Sequence, residues 1–189
     1  MFYRRFYQHT DSHVLLKLYL TVIRPHLEYA SPVWDPFHKT EVDALENVQK
    51  FALRFCLKTW NEGYDQLLLN AGIPSLKARR SRMNLCQLYK IINKITHFPD
   101  APINPRKVHY DSRSVNKNSV TVPRSNTSAY QHSFFPKSLS LWNGLPEDVT
   151  NCTSINSLNT VIGTHLYLAH AILCVSCMII CRIWYLHTK

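Results

Sequence analysis

Five basic side chains lie close together in the middle of the sequence and have the chemistry to bind phosphate groups. They are Arg79, Arg80, Arg82, Lys90 and Lys94. On a helical wheel four of them fall on one side of a predicted helix, with Arg82 at the edge and no acid among them. Guanidinium and ammonium groups neutralise a nucleic-acid backbone, and each such contact adds salt-dependent affinity. The pattern predicts a nucleic-acid-binding face, with a plain solvated basic surface as the alternative.

The charge of the whole chain agrees with this interpretation. Its 189 residues carry 22 Lys and Arg against 12 Asp and Glu, a formal net charge of +10. The excess lies in residues 66–146, where twelve basic residues face only Asp100 and Asp111. So uneven a segment favours a polyanionic partner. With 46% apolar residues, the chain can also fill a core.

Carboxylates and glycines give no sign of a catalytic centre. Two-metal phosphoryl chemistry needs clustered acids, and no two Asp residues are adjacent here. Four glycines, far apart, exclude the phosphate-binding loops of nucleotide enzymes. The ten His leave a Cys–His nucleophile open, but no local signature supports one. The sequence predicts no independent catalysis and no cofactor.

One string in the tail has the residue types of a zinc site: His170, Cys174, Cys177 and Cys181. Thiolate and imidazole suit Zn²⁺, but these residues sit among Ile, Leu, Val and Met, where Cys behaves as a small apolar residue. We predict no metal site. The six cysteines, without a secretory leader pattern, predict a reduced intracellular protein, nuclear or cytoplasmic.

The elements that would position these residues are mainly helical. A first, deeply buried helix is expected from the N-cap Ser12, kinked or ended by Pro25, where Arg24 and Glu28 would pair. A second should span 40–58, with Thr40 and Asp43 as a capping box and a Glu46–Lys50 ion pair. A short helix ends at Gly72. A third long helix, capped by Ser75, should carry the basic face to about residue 96.

Beyond residue 98 the pattern changes. Prolines and a Ser/Asn-rich stretch predict an extended crossover with a short strand at 119–123, then a helical turn at 138–143 ended by Gly144. An aromatic segment at 133–146 should pack the crossover against the helices, as a clasp, through Phe134, Phe135, Leu139, Leu141 and Trp142. Both Trp34 and Trp142 should fill core positions. Thr153 should cap a C-terminal helix. Residues 166–181 carry no Asp, Glu, Lys or Arg.

These expectations define a mainly α fold: a small irregular helical bundle, an extended crossover with a short β element, and an apolar C-terminal helix. The predicted regions are helical 1–97, crossover and clasp 98–150, and C-terminal helix with Cys-rich tail 151–189. The apolar tail makes a small tail-anchored membrane protein, using 166–186, an alternative interpretation.

Four stretches together resemble a known family. "LYLTVIRPHLEYASPVWDP" (18–36), "LENVQKFALR" (45–54), "SLKARR" (75–80) and "SFFPKSLSLWNGLP" (133–146) stand in order. They are similar to the region after the polymerase palm in the reverse transcriptases of non-LTR, LINE-type (jockey-like) retrotransposons. The resemblance covers roughly 15–160. The tail after Leu158 departs from the family.

The resemblance implies a segment of an RNA-directed DNA polymerase without its catalytic aspartates, which precede the matched region. It therefore implies a non-catalytic remnant with residual binding of RNA or an RNA–DNA duplex, in agreement with the basic face. A reverse-transcriptase part that is active only with a separate palm is a further alternative. The sequence does not indicate an oligomeric state.

Overall fold

The computed structural model describes residues 9–105 and 118–163, and these are predominantly helical. This confirms the prediction of a mainly α protein. The chain divides into two compact units, of which unit one ends at Arg80 and unit two begins at Ser81. The predicted boundary after residue 97 therefore lies inside unit two, and the observed division falls within a helix.

Unit one consists of short helices around one long helix. Its elements are α1 Ser12–Leu18, a π-helical turn Tyr19–Ile23, α2 Arg24–Glu28, α3 Ser31–Trp34, α4 Lys39–Leu57, α5 Tyr64–Ala71 and the start of α6, Leu76–Ile92. Helix α4 packs against α1 and α5. The core residues are Leu15, Tyr19, Leu53, Cys56, Leu67, Leu68 and Ile73. Gly72 adopts the left-handed conformation that ends α5, as predicted.

Pro25 does not end the first helical stretch, which was one of the two predicted outcomes, but the helix type changes just before it. The chain stays helical to Glu28, with Pro25 in the first turn of α2. The preceding turn widens into π geometry at Tyr19–Ile23. Proline cannot donate to the fourth residue before it, and a wider turn accommodates that missing hydrogen bond.

The N-terminal helix is also less buried than predicted. Leu15 and Tyr19 are buried, whereas Val14, Leu18 and Val22 are about half exposed. The predicted capping box of α4 does not form either. The helix begins one residue earlier, at Lys39, so Thr40 lies inside the first turn and cannot act as its N-cap.

Unit two packs the rest of α6 against shorter helices. These are α7 Ser128–Gln131, α8 Phe134–Asn143 and α9 Glu147–Thr150, followed by helical residues 155–163. Its core residues are Leu85, Leu88, Tyr89, Val120, Leu139, Trp142, Val149, Leu158 and Ile162. Gly144 is the C-cap of α8, as predicted, but α8 begins at Phe134 rather than near Ser138.

The predicted clasp is a helix that holds the crossover with two adjacent side chains. The Trp142 indole N–H donates to the carbonyl of Asn118 at 3.2 Å. The Asn143 amide accepts from the N–H of Val120 at 2.9 Å and donates to its carbonyl at 2.7 Å. Because one side chain satisfies both backbone groups of Val120, it replaces a neighbouring strand.

Because the Asn143 side chain takes the hydrogen bonds that a neighbouring strand would make, the strand predicted at 119–123 is absent from the described residues. Only a single antiparallel bridge joins Pro105 to Val120, beside a bond from Thr121 N–H to the carbonyl of Asn104 at 2.8 Å. Proline has no N–H to extend the ladder. Among the clasp residues, Leu139 and Trp142 are buried, Phe134 and Phe135 are half-buried, and Leu141 is exposed.

The prediction for Trp142 as a core residue is confirmed, whereas that for Trp34 is wrong. Trp34 is 39% exposed. Its indole N–H donates to the carbonyl of Tyr29 at 2.6 Å. A local hydrogen bond thus positions this ring at the surface of unit one, while Trp142 packs beside Tyr89 with ring centroids 6.4 Å apart.

Candidate nucleic-acid interface

Arg80, one of the five predicted phosphate-binding residues, is buried inside unit one. Its side chain is only 1% exposed. The Nε group donates to Oδ1 of Asp35 at 2.9 Å, and Nη2 lies 3.9 Å from Oε1 of Glu46. A guanidinium so buried and paired cannot reach a phosphate backbone. The helical wheel predicted a solvated cation at this position, whereas in the structure Arg80 is buried beside two acids.

Arg79, the second predicted residue, forms a two-pronged ion pair with Glu28. Its Nε bonds to one carboxylate oxygen, and Nη2 donates to the other at 2.9 Å. Glu28 is buried, and Arg24 lies 3.8 Å from the same carboxylate, which confirms the predicted Arg24–Glu28 pair. A forked arginine–carboxylate pair fixes geometry as well as charge. Arg79 is therefore a structural residue of unit one.

The carboxylate of Glu46 joins these ion pairs to the start of α6. It accepts from the backbone N–H of Lys77 at 2.6 Å and of Leu76 at 3.3 Å. It also accepts from the Tyr64 hydroxyl. First-turn N–H groups have no partner within their helix, and a carboxylate there suits the helix dipole. Glu46 thus caps α6, whereas the sequence predicted an ion pair between Glu46 and Lys50. The predicted cap by Ser75 is confirmed, because its hydroxyl oxygen accepts from the N–H of Ala78 at 3.2 Å.

A buried hydrogen-bonded chain leads to Glu46 from the other helices. The Tyr19 hydroxyl donates to Gln49 at 2.7 Å, and Gln49 donates to the Tyr64 hydroxyl at 3.0 Å and to the carbonyl of Pro74 at 3.1 Å. Burial raises the pKa of Tyr19, against the charge of Arg24. Burial, and then the hydrogen bond to Glu46, raises the pKa of Tyr64. Both phenols are held neutral as hydrogen-bond donors.

Arg82 and Lys90, the third and fourth predicted residues, flank Cys86 on α6 in unit two. Both are half-buried. Burial raises the pKa of the Cys86 thiol, and the charges of Arg82 and Lys90 oppose that rise. The thiol donates to Asn159 Oδ1 at 3.0 Å. The Arg82 guanidinium also lies against Gly163, where a Cβ would be 3.7 Å from Nη1. These cations are less accessible than the wheel suggested.

Lys94, the fifth predicted residue, is exposed at the end of α6. Its φ of 56° is left-handed. The N–H of Ile95 bonds to the carbonyl of Lys90 at 2.8 Å, and that of Lys94 to the carbonyl of Ile91 at 3.1 Å. This pair of bonds is a Schellman motif, in which the left-handed position is usually glycine. The motif ends α6 at Ile92, before the predicted end, and presents a lysine at the turn.

An open depression of about 490 Å³ adjoins this turn in unit two. Lys94, Thr96 and His97 provide its polar lining, and Phe98 and Ile103 are among its apolar residues. Phe98 is 48% exposed, and its ring packs edge-on against Phe135 at 5.2 Å between centroids. A cation beside an exposed, anchored aromatic ring is the combination that binds single-stranded nucleic acid.

A second depression, of about 450 Å³, shares Ile92 and Ile103 with the first. Its lining combines the Trp142 and Tyr89 rings with the amide side chains of Asn93, Asn118 and Asn151. Asn118 donates to Asn151 Oδ1 at 2.7 Å, and Tyr89 to the carbonyl of Cys152 at 2.9 Å. The two depressions therefore adjoin, with Lys94 and His97 lining the first and the three amide side chains lining the second.

Sequence reasoning missed His97 and Phe98. Both residues follow the end of α6, so helical periodicity does not apply to them. The Schellman turn brings them beside Lys94 in the lining of the same depression. The signal available was the local sequence itself: a cation, a histidine and an aromatic within five residues.

Two predictions about the tail lie outside the described residues: the excluded metal string at 170–181 and the membrane alternative at 166–186. Within 9–105 and 118–163, no group of three or more His, Cys, Asp or Glu is arranged to hold a metal ion. Within the same residues no helix is both long enough and apolar enough to cross a bilayer.

No family model matches the chain, and no solved structure matches it. The sequence is similar to the uncharacterized protein B0403.1 of Caenorhabditis elegans, with 28% identity over 136 residues. The match covers 70% of this chain and 59% of that protein, so the chain spans less than two thirds of the length of this relative.

Proposed function

We propose that this chain is a non-catalytic remnant of a retrotransposon reverse transcriptase that retains nucleic-acid binding in unit two. The binding surface is the turn after α6, with Lys94, His97 and Phe98 around one depression. Phosphates contact Lys94, the neighbouring Lys90 and the imidazole N–H of His97, and an unpaired base stacks on Phe98. The observation that carries the proposal is the placement of an exposed cation and an exposed aromatic ring in the same depression.

The exposure of Phe98 favours single-stranded RNA, or the unpaired end of an RNA–DNA duplex, as the ligand. Bases in a continuous duplex are stacked on one another, whereas splayed bases stack on aromatic side chains. Stacking of this kind contributes about 1–3 kcal/mol per base and tolerates any sequence. Binding should therefore be salt-sensitive and weakly sequence-dependent.

The proposed origin from a reverse transcriptase is supported by the contacts that the segments resembling that family make in unit one. Segment 18–36 supplies Glu28 and Asp35, segment 45–54 supplies Glu46, and segment 75–80 supplies Arg79 and Arg80. These residues form the ion pairs and helix cap described above. Three of the four stretches that suggested the family therefore include the residues that form these polar contacts in unit one. Their chemistry is structural, in keeping with the proposal that catalysis belonged to a region before them.

Fluorescence anisotropy with a labelled RNA oligonucleotide tests the proposed site. We expect Lys94→Gly to weaken binding without loss of stability, because glycine is suited to a left-handed position. In the double variant Lys90→Gln/Lys94→Gly, the binding constant should depend less on salt. The slope of log K against log salt should become shallower by about 0.7 for each lost phosphate contact. The matched control, Lys17→Gln/Lys39→Gln, removes two exposed charges from unit one and should keep most of the affinity and slope.

A competitor series of RNA, DNA and RNA–DNA duplex of equal length then identifies the preferred ligand. Equal loss of affinity in the control and the α6 variant would indicate a general charge effect and would contradict this site. Absence of binding at about 50 mM salt would contradict nucleic-acid binding itself.

A further inference from the structure

Helix α4 has an exposed apolar stripe on the side that faces away from the core of unit one. Its opposite side buries Gln49, Leu53 and Cys56. The stripe consists of Ala44, Val48, Phe51 and Phe55, all exposed. Phe51 is 62% exposed and Val48 is 44% exposed, although large apolar side chains are usually buried. One 19-residue helix thus has two apolar sides, only one of which packs in the core of unit one.

The spacing of the stripe specifies the kind of partner that fits it. Successive members are separated by four, three and four residues, the alternation found at the contact positions of paired helices. The exposed Trp60, in edge contact with Phe51 at 6.0 Å between ring centroids, extends the surface beyond the helix end. A partner helix with the same alternation would therefore lie along α4.

We propose that the partner is a second copy of this chain, with its α4 antiparallel to the first across a twofold axis between Gln49 and Lys50. In that register Val48 lies opposite the partner's Phe51, and Ala44 lies opposite the partner's Phe55. Each layer then pairs a smaller side chain with a large one, which helps facing helices to interdigitate. A twofold interface also requires a surface that complements itself, as this stripe does.

The charges at the two ends of α4 specify the orientation. Glu41 lies in the first turn, and Lys58 is the C-cap. In the same register each Glu41 faces the partner's Lys58, so opposite charges meet at both ends of the interface. A parallel pair would place like charges together. The Lys58 ammonium already donates to the carbonyl of Thr10 at 3.0 Å, and an ammonium has further donors for a carboxylate.

Sedimentation of the full chain over the micromolar range tests the pairing. We expect a monomer–dimer equilibrium that Phe51→Glu shifts toward monomer by at least about tenfold, because a central aromatic contact is replaced by a charge. The control, Leu69→Glu, changes an apolar residue that is 58% exposed on α5 and should leave the equilibrium unchanged. Circular dichroism checks that both variants keep their helix content.

Charge reversal tests the antiparallel orientation separately. Glu41→Lys and Lys58→Glu should each weaken the dimer, and the double variant should restore it. A chain that stays monomeric at every concentration would overturn the proposal, as would a dimer that Phe51→Glu leaves intact. A dimer weakened by Phe51→Glu but not restored by the double variant would overturn the antiparallel register.

Discussion

The carboxylate of Glu46 accepts the backbone N–H of Lys77 at 2.6 Å, across 31 residues of sequence. A side chain in the middle of α4 therefore caps the first turn of α6. The same carboxylate accepts the Tyr64 hydroxyl and lies beside the buried Arg80. Three interactions of different kinds depend on one group, so Glu46 links α4, α5 and α6 in unit one.

Replacing Glu46 should strongly destabilise unit one. Glu46→Ala removes a helix cap, for which about 1 kcal/mol is typical, and deprives a buried guanidinium of one of its carboxylates. We expect the free energy of unfolding in urea to fall by about 3 kcal/mol for Glu46→Ala and by less for Glu46→Gln, which keeps one acceptor oxygen. Asp43→Asn, an exposed change on the same helix, is the control. An equal loss in the control would contradict the capping role.

Asp35 and Arg80 should show strong energetic coupling. Asp35→Ala leaves the buried guanidinium without its closest carboxylate and should cost about 3–5 kcal/mol. Arg80→Met, made in the Asp35→Ala background, should recover part of that loss because no charge then remains unpaired. A double-mutant cycle by urea unfolding measures the coupling. Additive effects of the two substitutions would show that the pair is not energetically linked.

The phenols of the buried Tyr19 and the half-buried Tyr64 predict a loss of stability at alkaline pH. Below about pH 10, Tyr19 and Tyr64 are protonated in both the folded and the unfolded chain, and they add no pH dependence. Above that value the unfolded phenols lose protons while the folded ones, with raised pKa, keep them. The free energy of unfolding should therefore fall by up to about 1.4 kcal/mol per pH unit for each phenol.

Conservative variants separate this effect from general alkaline unfolding. Tyr19→Phe and Tyr64→Phe should each flatten the decline, whereas Tyr29→Phe, at an 81% exposed position, should not. The measurement is urea unfolding between about pH 8 and pH 11. An unchanged slope in both core variants would mean that neither phenol is responsible.

Much of the fold could be predicted from periodicity, because amphipathic patterns and glycine caps are local. Helices α4 and α6, the Gly72 and Gly144 caps and the burial of Trp142 all follow from such signals. The end of α6 could not be predicted this way, since a lysine holds the left-handed position there. The prediction of a strand at 119–123 was wrong because the Asn143 amide, 23 residues away from Val120, takes the place of a neighbouring strand.

The candidate site shows the same limit in its electrostatics. A helical wheel groups Arg79, Arg80 and Lys94 on one side, but it cannot show which of them meets an acid from another element. Glu28 lies 51 residues before Arg79, and Asp35 lies 45 before Arg80. Long-range ion pairs thus hold both Arg79 and Arg80 against acids of unit one, and Lys94 is the exposed member of the predicted set.

Photo-crosslinking maps the proposed nucleic-acid contact most directly. An RNA oligonucleotide carrying a photoactivatable uridine is irradiated with the full chain, and the crosslinked peptides are identified by mass spectrometry. We expect crosslinks in the peptide that contains His97 and Phe98, reduced by Phe98→Leu and by high salt. Crosslinks that map to unit one instead, or that persist unchanged in Phe98→Leu, would contradict nucleic-acid binding at the turn after α6.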